Sequence, residues 1–140
     1  MTDDALLSLL SSRHQGVLVT LKSDGRPQLS NVVYAFDEPA RLIRVSVTDD
    51  RAKTRNLRRD PRASLHVTTE KFWPYAVAEG DAELSPVATH VDDATVDELV
   101  ELYRAIQGEH PDWDEYRAAM TAERRLVLRL SVDRVYGIRA

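Results

Sequence analysis

Residues 16–48 read GVLVTLKSDGRPQLSNVVYAFDEPARLIRVSVT. Side chains alternate between apolar and polar in three segments of this stretch, 16–22, 28–36 and 41–48, which predicts three β-strands because strand side chains point to two faces in turn. Asp24-Gly25 supplies the backbone freedom of a hairpin turn, and the sequence DEPA forms the second turn. Both connections are too short for a parallel crossover, so the stretch is predicted to be an antiparallel meander.

Three further strands and several helices are predicted along the rest of the chain. The other alternating segments are 63–69, 75–85 and 125–132, the last extended by residues 133–138. Helical patterns cover 3–12, 49–60, 92–107 and a segment that begins at Asp112. Gly80 interrupts its strand and indicates a bulge or a close backbone approach. Six antiparallel strands are most readily protected by closure, so the predicted fold is mainly β, a six-stranded antiparallel barrel with peripheral helices.

The predicted helix ends follow from capping side chains. Thr2 or Asp3 caps the first helix, and Asp49 begins the second, which Pro61 ends. Asp112, with a glutamate three residues later, has the spacing of a capping box at the start of the last helix.

The chain has 140 residues and no cysteine, and is expected to form one domain, residues 1–140. Without cysteine there is no thiolate nucleophile, Cys-ligated zinc or iron–sulfur cluster, so redox chemistry requires a bound cofactor. The four histidines lack metal-ligand spacing, so no metal site is predicted, and Gly-rich dinucleotide, P-loop and GxSxG motifs are absent. No basic leader or membrane-length apolar segment is present, so a cytoplasmic protein without membrane contact is expected.

Positive charge is concentrated in one part of the chain. Residues 41–62 contain eight basic and three acidic residues, a net charge of +5, whereas the rest of the chain has 11 basic and 20 acidic residues, a net charge of −9. A short basic segment in an acidic protein favours a small anionic ligand over a nucleic acid, for which the basic and aromatic residues do not interleave. The alternative is an arginine-rich helix face in contact with solvent.

Polar residues occupy strand positions where apolar ones are expected. Gln28 and Ser30 share one face of the second strand and Asn31 points to the other. Such hydrogen-bonding side chains suit the edge of a heteroaromatic ring, the alternative being a solvated hairpin end. Ser46 lies just before the basic helix. Near the amino end of that helix, Arg51 and Lys53 add positive charge to free backbone N–H groups, which predicts a phosphate site.

Three nearby side chains leave alternatives open. Asp49 and Asp50 would repel a phosphate, but they could instead cap the helix or pair with neighbouring arginines. Trp73 and Tyr75 follow a predicted loop and could cover a flat ring, although packing in a core or interface is the commoner role of tryptophan.

These segments resemble the split β-barrel flavin and deazaflavin oxidoreductases, the FMN-binding-like superfamily that includes pyridoxamine 5'-phosphate oxidase. The chain is most similar to the actinobacterial members that use coenzyme F420, an 8-hydroxy-5-deazaflavin. The resemblance extends over nearly the whole chain, and the long run 51–64 is its most specific part. It is carried by residues 25–32, 45–47, 51–64, 75–80 and 135–137.

The resemblance implies a split-barrel homodimer with two cofactor sites at its interface. It places the cofactor phosphate on Arg51 and Lys53, with Ser46 close by, and the ring near the second strand. The matching residues expected to bind the cofactor are Gln28, Ser30, Asn31, Ser46, Arg51, Ala52, Lys53, Asn56, Trp73 and Tyr75.

The implied function is hydride transfer from reduced coenzyme F420 to an electron-poor small molecule. Tyr75 or a water molecule is the candidate proton donor. The chain ends in VYGIRA and lacks the arginine-rich carboxyl-terminal motif of pyridoxamine 5'-phosphate oxidases, which disfavours vitamin B6 chemistry. An FMN-dependent enzyme of the same superfamily and a non-enzymatic F420 carrier remain alternatives.

Overall fold

The computed structural model describes residues 3–139. The helices are α1 (Asp4–Ser12), α2 (Ala52–Arg59), α3 (Ala94–Gln107) and α4 (Trp113–Ala122). The strands are β1 (Gln15–Leu21), β2 (Pro27–Asp37), β3 (Leu42–Thr48), β4 (Arg62–Thr68), β5 (Tyr75–Leu84) and β6 (Arg125–Ile138).

The six strands form a closed antiparallel barrel in the order β1-β2-β3-β6-β5-β4, which confirms the predicted fold. Most neighbours pair along long registers, and β5 with β6 is the longest of them. The seam between β1 and β4 is short, since only Val17, Leu18 and Val19 have registered partners in β4. Closure therefore depends least on hydrogen bonding at this seam.

Aliphatic side chains from every strand fill the barrel. In β1 the buried positions are Leu18 and Thr20, so Val17 and Val19 lie on the outer face of the sheet. α1 places four leucines against one end of this core, and the Tyr34 hydroxyl donates to the Leu10 carbonyl oxygen at 2.6 Å. The largest aliphatic side chains that the strands bury fully inside the barrel are Leu18, Ile43, Val45, Val47, Leu65, Val67, Leu126, Leu128 and Leu130.

The barrel is split between β2 and β3. Their register runs from Asp37↔Leu42 to Tyr34↔Val45 and then ends, while residues 27–33 stay paired with β1 and residues 46–48 stay paired with β6. The two strands therefore diverge and leave a gap in the barrel wall.

Helix α2 begins later than the sequence predicted. Asp49 is not its cap: Arg51 occupies the N-cap position, without a side-chain capping bond, and the helix starts at Ala52. The Asp49 carboxylate is engaged by Arg58 at 2.5 Å and Arg124 at 3.0 Å, and the bonds from Arg58 and then Arg124 hold its pKa below the usual value. The predicted end is confirmed, since the helix stops just before Pro61.

The caps predicted for α1 and α4 are formed. Asp3 accepts a hydrogen bond from the Leu6 backbone N–H and Asp112 accepts one from the Glu115 backbone N–H. The Asp112 backbone N–H donates to His110 Nδ1 at 2.9 Å rather than to the Glu115 side chain, so only one half of the predicted capping box forms. Thr2, the other candidate for the first cap, lies outside the described residues.

The strand irregularity predicted at Gly80 is confirmed. The register of β5 with β6 shifts between Glu79 and Gly80. A Cβ atom on Gly80 would lie 1.7 Å from the Ser131 carbonyl oxygen, so only glycine allows the two backbones to approach this closely.

Helix α3 is fastened to the barrel by a partly buried ion cluster. Glu98 accepts from Arg44 Nε at 2.8 Å and from Arg129 Nε at 2.9 Å, and the Arg129 Nη2 group bonds its other oxygen. The Glu98 side chain is 19% exposed. Next to this cluster, the apolar stripe of α3 packs on Val127 of β6.

Within residues 3–139 no helix is long and apolar enough to cross a membrane.

Replacement of Glu98 by glutamine tests the contribution of this cluster. Glu98→Gln keeps the shape of the side chain but removes the charge that holds two guanidinium groups, so we expect a loss of about 2 kcal/mol in the free energy of unfolding at pH 7. Urea denaturation measures the loss. Glu101→Gln is the matched control: its pair with Arg104 is exposed, and we expect a loss below about 0.5 kcal/mol. Equal losses of unfolding free energy in the two variants would contradict the role of Glu98 in fastening α3 to the barrel.

The same cluster gives the expected pH dependence. The hydrogen bond from Arg129, opposed by burial and supported by Arg44, holds the pKa of Glu98 below its usual 4.5. The stabilisation is therefore complete above the unfolded-state pKa and is lost as pH falls through the folded-state value. The difference in the free energy of unfolding between the parent and the Glu98→Gln variant should become smaller as the pH is lowered from 7 to 3, as measured by urea denaturation at each pH.

Candidate functional site

The gap between β2 and β3 opens into a groove of about 600 Å³. One wall consists of residues 30–33 of β2 and 45–48 of β3, and the opposite wall comes from α3 and α4. The groove is lined by Ser30, Asn31, Val32, Val33, Val45, Ser46, Val47, Thr48, Arg51, Lys53, Leu102, Tyr103, Ile106, Gln107, Tyr116, Met120 and Arg125. Five of the ten residues predicted to bind a cofactor are therefore brought together: Ser30, Asn31, Ser46, Arg51 and Lys53.

The strand wall offers backbone as well as side-chain hydrogen bonds. The Tyr34 backbone N–H donates to the His14 carbonyl oxygen at 2.8 Å, next to the register that pairs β2 with β1. The backbone N–H and C=O groups of the even-numbered residues of β2 therefore point toward β1. Because the bonding direction alternates along an antiparallel strand, the N–H and C=O groups of Asn31 and Val33 point toward the gap. This edge can therefore pair with a planar ligand that carries donors and acceptors.

Three cations converge at one end of the groove. Arg125 Nη1 lies 3.4 Å from the Ser46 hydroxyl oxygen and its guanidinium also pairs with Glu123. Burial lowers the pKa of Lys53, and the nearby charges of Arg51 and Arg125 lower it further. Within residues 3–139 neither Arg51 nor Lys53 has a salt-bridge partner. A bound anion would relieve this repulsion, so the arrangement suits a phosphate.

The other arginines of the basic segment are engaged within the protein. Arg58 pairs with Asp49 and Arg62 pairs with Asp60 at 2.7 Å. Arg59 donates to the Leu21 carbonyl oxygen at 2.6 Å. The two acidic residues near the start of α2 are engaged within the protein as well. Asp49 pairs with arginine, one of the predicted alternatives, and Asp50 accepts a hydrogen bond from the Thr48 hydroxyl at 3.0 Å. The local net charge of +5 overstates what is available to a ligand.

Gln28 and Asn56 lie outside the groove lining and bond to each other. The Asn56 side-chain NH₂ donates to the Gln28 carbonyl oxygen at 2.8 Å and to the Thr20 hydroxyl at 3.1 Å. Asn56 is buried and its own carbonyl oxygen accepts from Arg59. These contacts fasten α2 to the barrel. Ala52, in the first turn of α2, is half-buried and does not line the groove.

Trp73 and Tyr75 lie apart from the groove of their own chain. Trp73 is 73% exposed at the tip of the loop between β4 and β5, with Phe72 beside it. Tyr75 begins β5 and stacks on His66, with ring centroids 5.4 Å apart. The cofactor-binding roles predicted for these two residues stay predictions. The same holds for Gln28, Asn56 and Ala52.

Sequence reasoning missed the helical wall and one cation. The sequence predicts a helix over 92–107, but that pattern does not indicate that Tyr103 and Ile106 line the groove. Tyr116 also lines the groove, and its hydroxyl donates to the Leu99 carbonyl oxygen. Burial raises the pKa of this hydroxyl to about 12. Arg125 was not singled out because only the pairing of β6 with β3 brings it to Ser46.

Comparisons with known proteins connect this site to a family. The sequence model described as pyridoxamine 5'-phosphate oxidase matches residues 2–139. Over 137 residues the chain is 31% identical to the F420H(2)-dependent biliverdin reductase of Mycobacterium tuberculosis, covering 98% of this chain and 88% of that protein.

Two solved structures share the fold. An F420 reductase has a TM-score of 0.73 at 21% identity, covering 96% of this chain and 98% of the other. A conserved hypothetical protein from M. tuberculosis has a TM-score of 0.72 at 23% identity, covering 96% and 82%.

The bonds of Asn56 predict a role in stability. Asn56→Ala leaves the buried Thr20 hydroxyl and the Gln28 carbonyl oxygen without their donor, so we expect a loss of about 1–3 kcal/mol in the free energy of unfolding. Thermal and urea denaturation measure it. The control is Asn31→Ala, because the Asn31 side chain is exposed, and its effect should stay within about 0.5 kcal/mol. An unchanged stability of Asn56→Ala would leave ligand binding as the role of this side chain.

Proposed function

This chain belongs to the pyridoxamine 5'-phosphate oxidase family, and we propose that within it the protein is a coenzyme F420-dependent oxidoreductase that reduces an electron-poor small molecule. The observation that carries the proposal is the groove in the barrel split, in which a planar hydrogen-bonding edge and a cationic end lie side by side. The 31% identity to an F420H(2)-dependent reductase supports the choice of a deazaflavin.

The groove residues fit the two chemical parts of such a cofactor. Arg51, Lys53 and Arg125 would hold its phosphate, and Ser46 would position it through the contact with Arg125. Ser30 and the backbone groups of Asn31 and Val33 would bind the edge of the ring system. When bound, the reduced deazaflavin supplies a hydride, and the chain binds, orients and shields the reacting groups.

The substrate class follows from the chemistry of hydride transfer. A hydride adds to an electron-poor carbon that is conjugated to an oxygen or nitrogen, so enones, quinones and bilins are suitable acceptors. Biliverdin is the first compound to test because the curated relative is named for its reduction.

A second copy of this chain is the proposed partner. The outer face of the barrel carries exposed apolar side chains, among them Leu29 at 61% and Tyr136 at 47% exposure, around a depression that Val17, Val19 and Val77 line. Val33, which lines the groove, is continuous with this face and 45% exposed. A twofold contact here would bury the patch and close the groove from outside.

The same dimer explains the exposed loop between β4 and β5. Phe72 and Trp73 are large apolar side chains with little contact in one protomer. In the proposed homodimer this loop would pack against the partner, where Trp73 can cover the cofactor ring that it does not reach in its own chain.

Removal of the Lys53 charge tests the cofactor assignment. Lys53→Ala should weaken binding of oxidised coenzyme F420 about 10- to 150-fold, the equivalent of about 1.5–3 kcal/mol for a hydrogen bond to a charged group. Fluorescence titration measures the Kd. Lys22→Ala is the matched control, because Lys22 lies exposed before the turn between β1 and β2 and should leave the Kd unchanged within about twofold.

The alternatives give different results in the same titration. Binding of FMN without binding of coenzyme F420 would identify an FMN-dependent enzyme. Tight F420 binding with no oxidation of the reduced cofactor by biliverdin, a quinone or an enone would identify a carrier protein. An equal Kd for the parent and Lys53→Ala would refute the phosphate assignment.

A charge on the apolar outer face tests the dimer. Leu29→Asp places a carboxylate where the second copy would bury it, so we expect the dimer Kd to rise at least about 100-fold. Sedimentation equilibrium measures the change. Val91→Asp is the control, because Val91 is also exposed but lies between β5 and α3, away from this face. A monomeric parent protein would refute the proposal.

A further inference from the structure

The groove contains one tyrosine whose hydroxyl has no hydrogen-bond partner among the described residues. The Tyr34 and Tyr116 hydroxyls donate to the Leu10 and Leu99 carbonyl oxygens. Tyr75 and Tyr136 do not line the groove. Tyr103 lines it from α3, and its hydroxyl donates to and accepts from no group within residues 3–139. This hydroxyl is therefore free to bond a ligand.

The Tyr103 ring is held in place by an aromatic cluster. Its centroid lies 5.0 Å from that of Tyr116, 5.1 Å from His110 and 5.6 Å from Trp113, each in an edge-on arrangement. The Arg104 guanidinium covers the Trp113 ring at 4.8 Å. Such packing restricts the side chain before any ligand binds, as a residue that must meet a reacting group requires.

We propose that Tyr103 supplies the proton that accompanies hydride transfer, an inference that rests on the proposed function. Addition of a hydride to the electron-poor carbon leaves an electron pair on the conjugated oxygen or nitrogen of the substrate. The Tyr103 Oη–H bond breaks as that atom takes the proton, and water reprotonates the phenolate. The substrate gains two electrons and two hydrogens. The bound cofactor would give up the hydride and, to solvent, one proton, which balances the proton that water returns to Tyr103.

The position of Tyr103 in the fold favours it over the donor suggested by the sequence. Tyr103 lines the groove together with Ser30 and Asn31. Tyr75 lies outside the groove of its own chain and stacks on His66. We therefore place the proton donor on α3, and Tyr75 stays the rival candidate.

Kinetics of single substitutions test the proton donor. Tyr103→Phe keeps the ring in its cluster and removes only the hydroxyl, so with biliverdin and with menadione we expect kcat to fall about 100-fold, as for loss of a general acid, while the Kd for coenzyme F420 stays within about twofold. The solvent deuterium isotope effect on kcat should also change. Tyr34→Phe is the matched control, because the Tyr34 hydroxyl bonds the Leu10 carbonyl oxygen and does not line the groove, and Tyr75→Phe tests the rival donor.

A second measurement does not depend on turnover. With ¹³Cζ-labelled tyrosine, the five tyrosine signals can be assigned by Tyr→Phe variants. Addition of oxidised coenzyme F420 should shift the Tyr103 signal, since the cofactor would fill the groove that Tyr103 lines, and inorganic phosphate alone should leave the signal unchanged.

The outcomes separate this inference from the proposed function. If the parent protein fails to bind coenzyme F420, or binds it without reducing either acceptor, the proposed function fails and the proton assignment fails with it. If the parent is active and Tyr103→Phe retains kcat, or if Tyr75→Phe takes the loss instead, only the Tyr103 assignment fails. A loss of F420 affinity as large as the loss in kcat would make Tyr103 a binding residue and overturn its role as donor.

Discussion

β2 and β3 cease to pair at Tyr34 and Val45, and the positions of the groove-lining residues follow from that divergence. The strands beyond this point remain anchored on their other sides, to β1 and to β6, so the gap stays open without loss of the barrel. The backbone groups that would have paired across it point instead into the groove. α2 follows β3 directly and brings its first turn to the end of the gap, while α3 and α4 cover the far side.

The distribution of ion pairs decides which charges a ligand can meet. Asp49 engages two arginines at once and Asp60 engages Arg62, so much of the apparent basic surface is neutralised by neighbours. At the groove, burial and then the charges of Arg51 and Arg125 lower the pKa of Lys53. An anion bound here would offset that repulsion, which is the physical basis of the proposed preference for a phosphate over a neutral group.

The antiparallel meander of the first three strands and the closed barrel could be predicted from the sequence, because alternation and short turns are local signals. Basic residues at a helix start predict an anion site by a local rule as well, and the structure places Arg51 and Lys53 at one end of the groove. Phosphate binding there stays a prediction. What could not be predicted depends on long-range pairing. Arg125 reaches the groove through the register of β6, and α3 brings Tyr103 to the opposite wall. The hydrogen bond between Gln28 and Asn56 likewise joins residues far apart in the chain, and their part in ligand binding stays a prediction.

The short seam between β1 and β4 has a mechanical consequence. Only three residue pairs join the β1–β2 hairpin to β4, and four pairs join it to β3, so this hairpin is the least constrained part of the barrel wall. Amide groups at the seam are accordingly expected to exchange with solvent before those shared by β5 and β6. Any opening of the barrel wall is therefore expected to begin at this seam, where the fewest backbone hydrogen bonds must break.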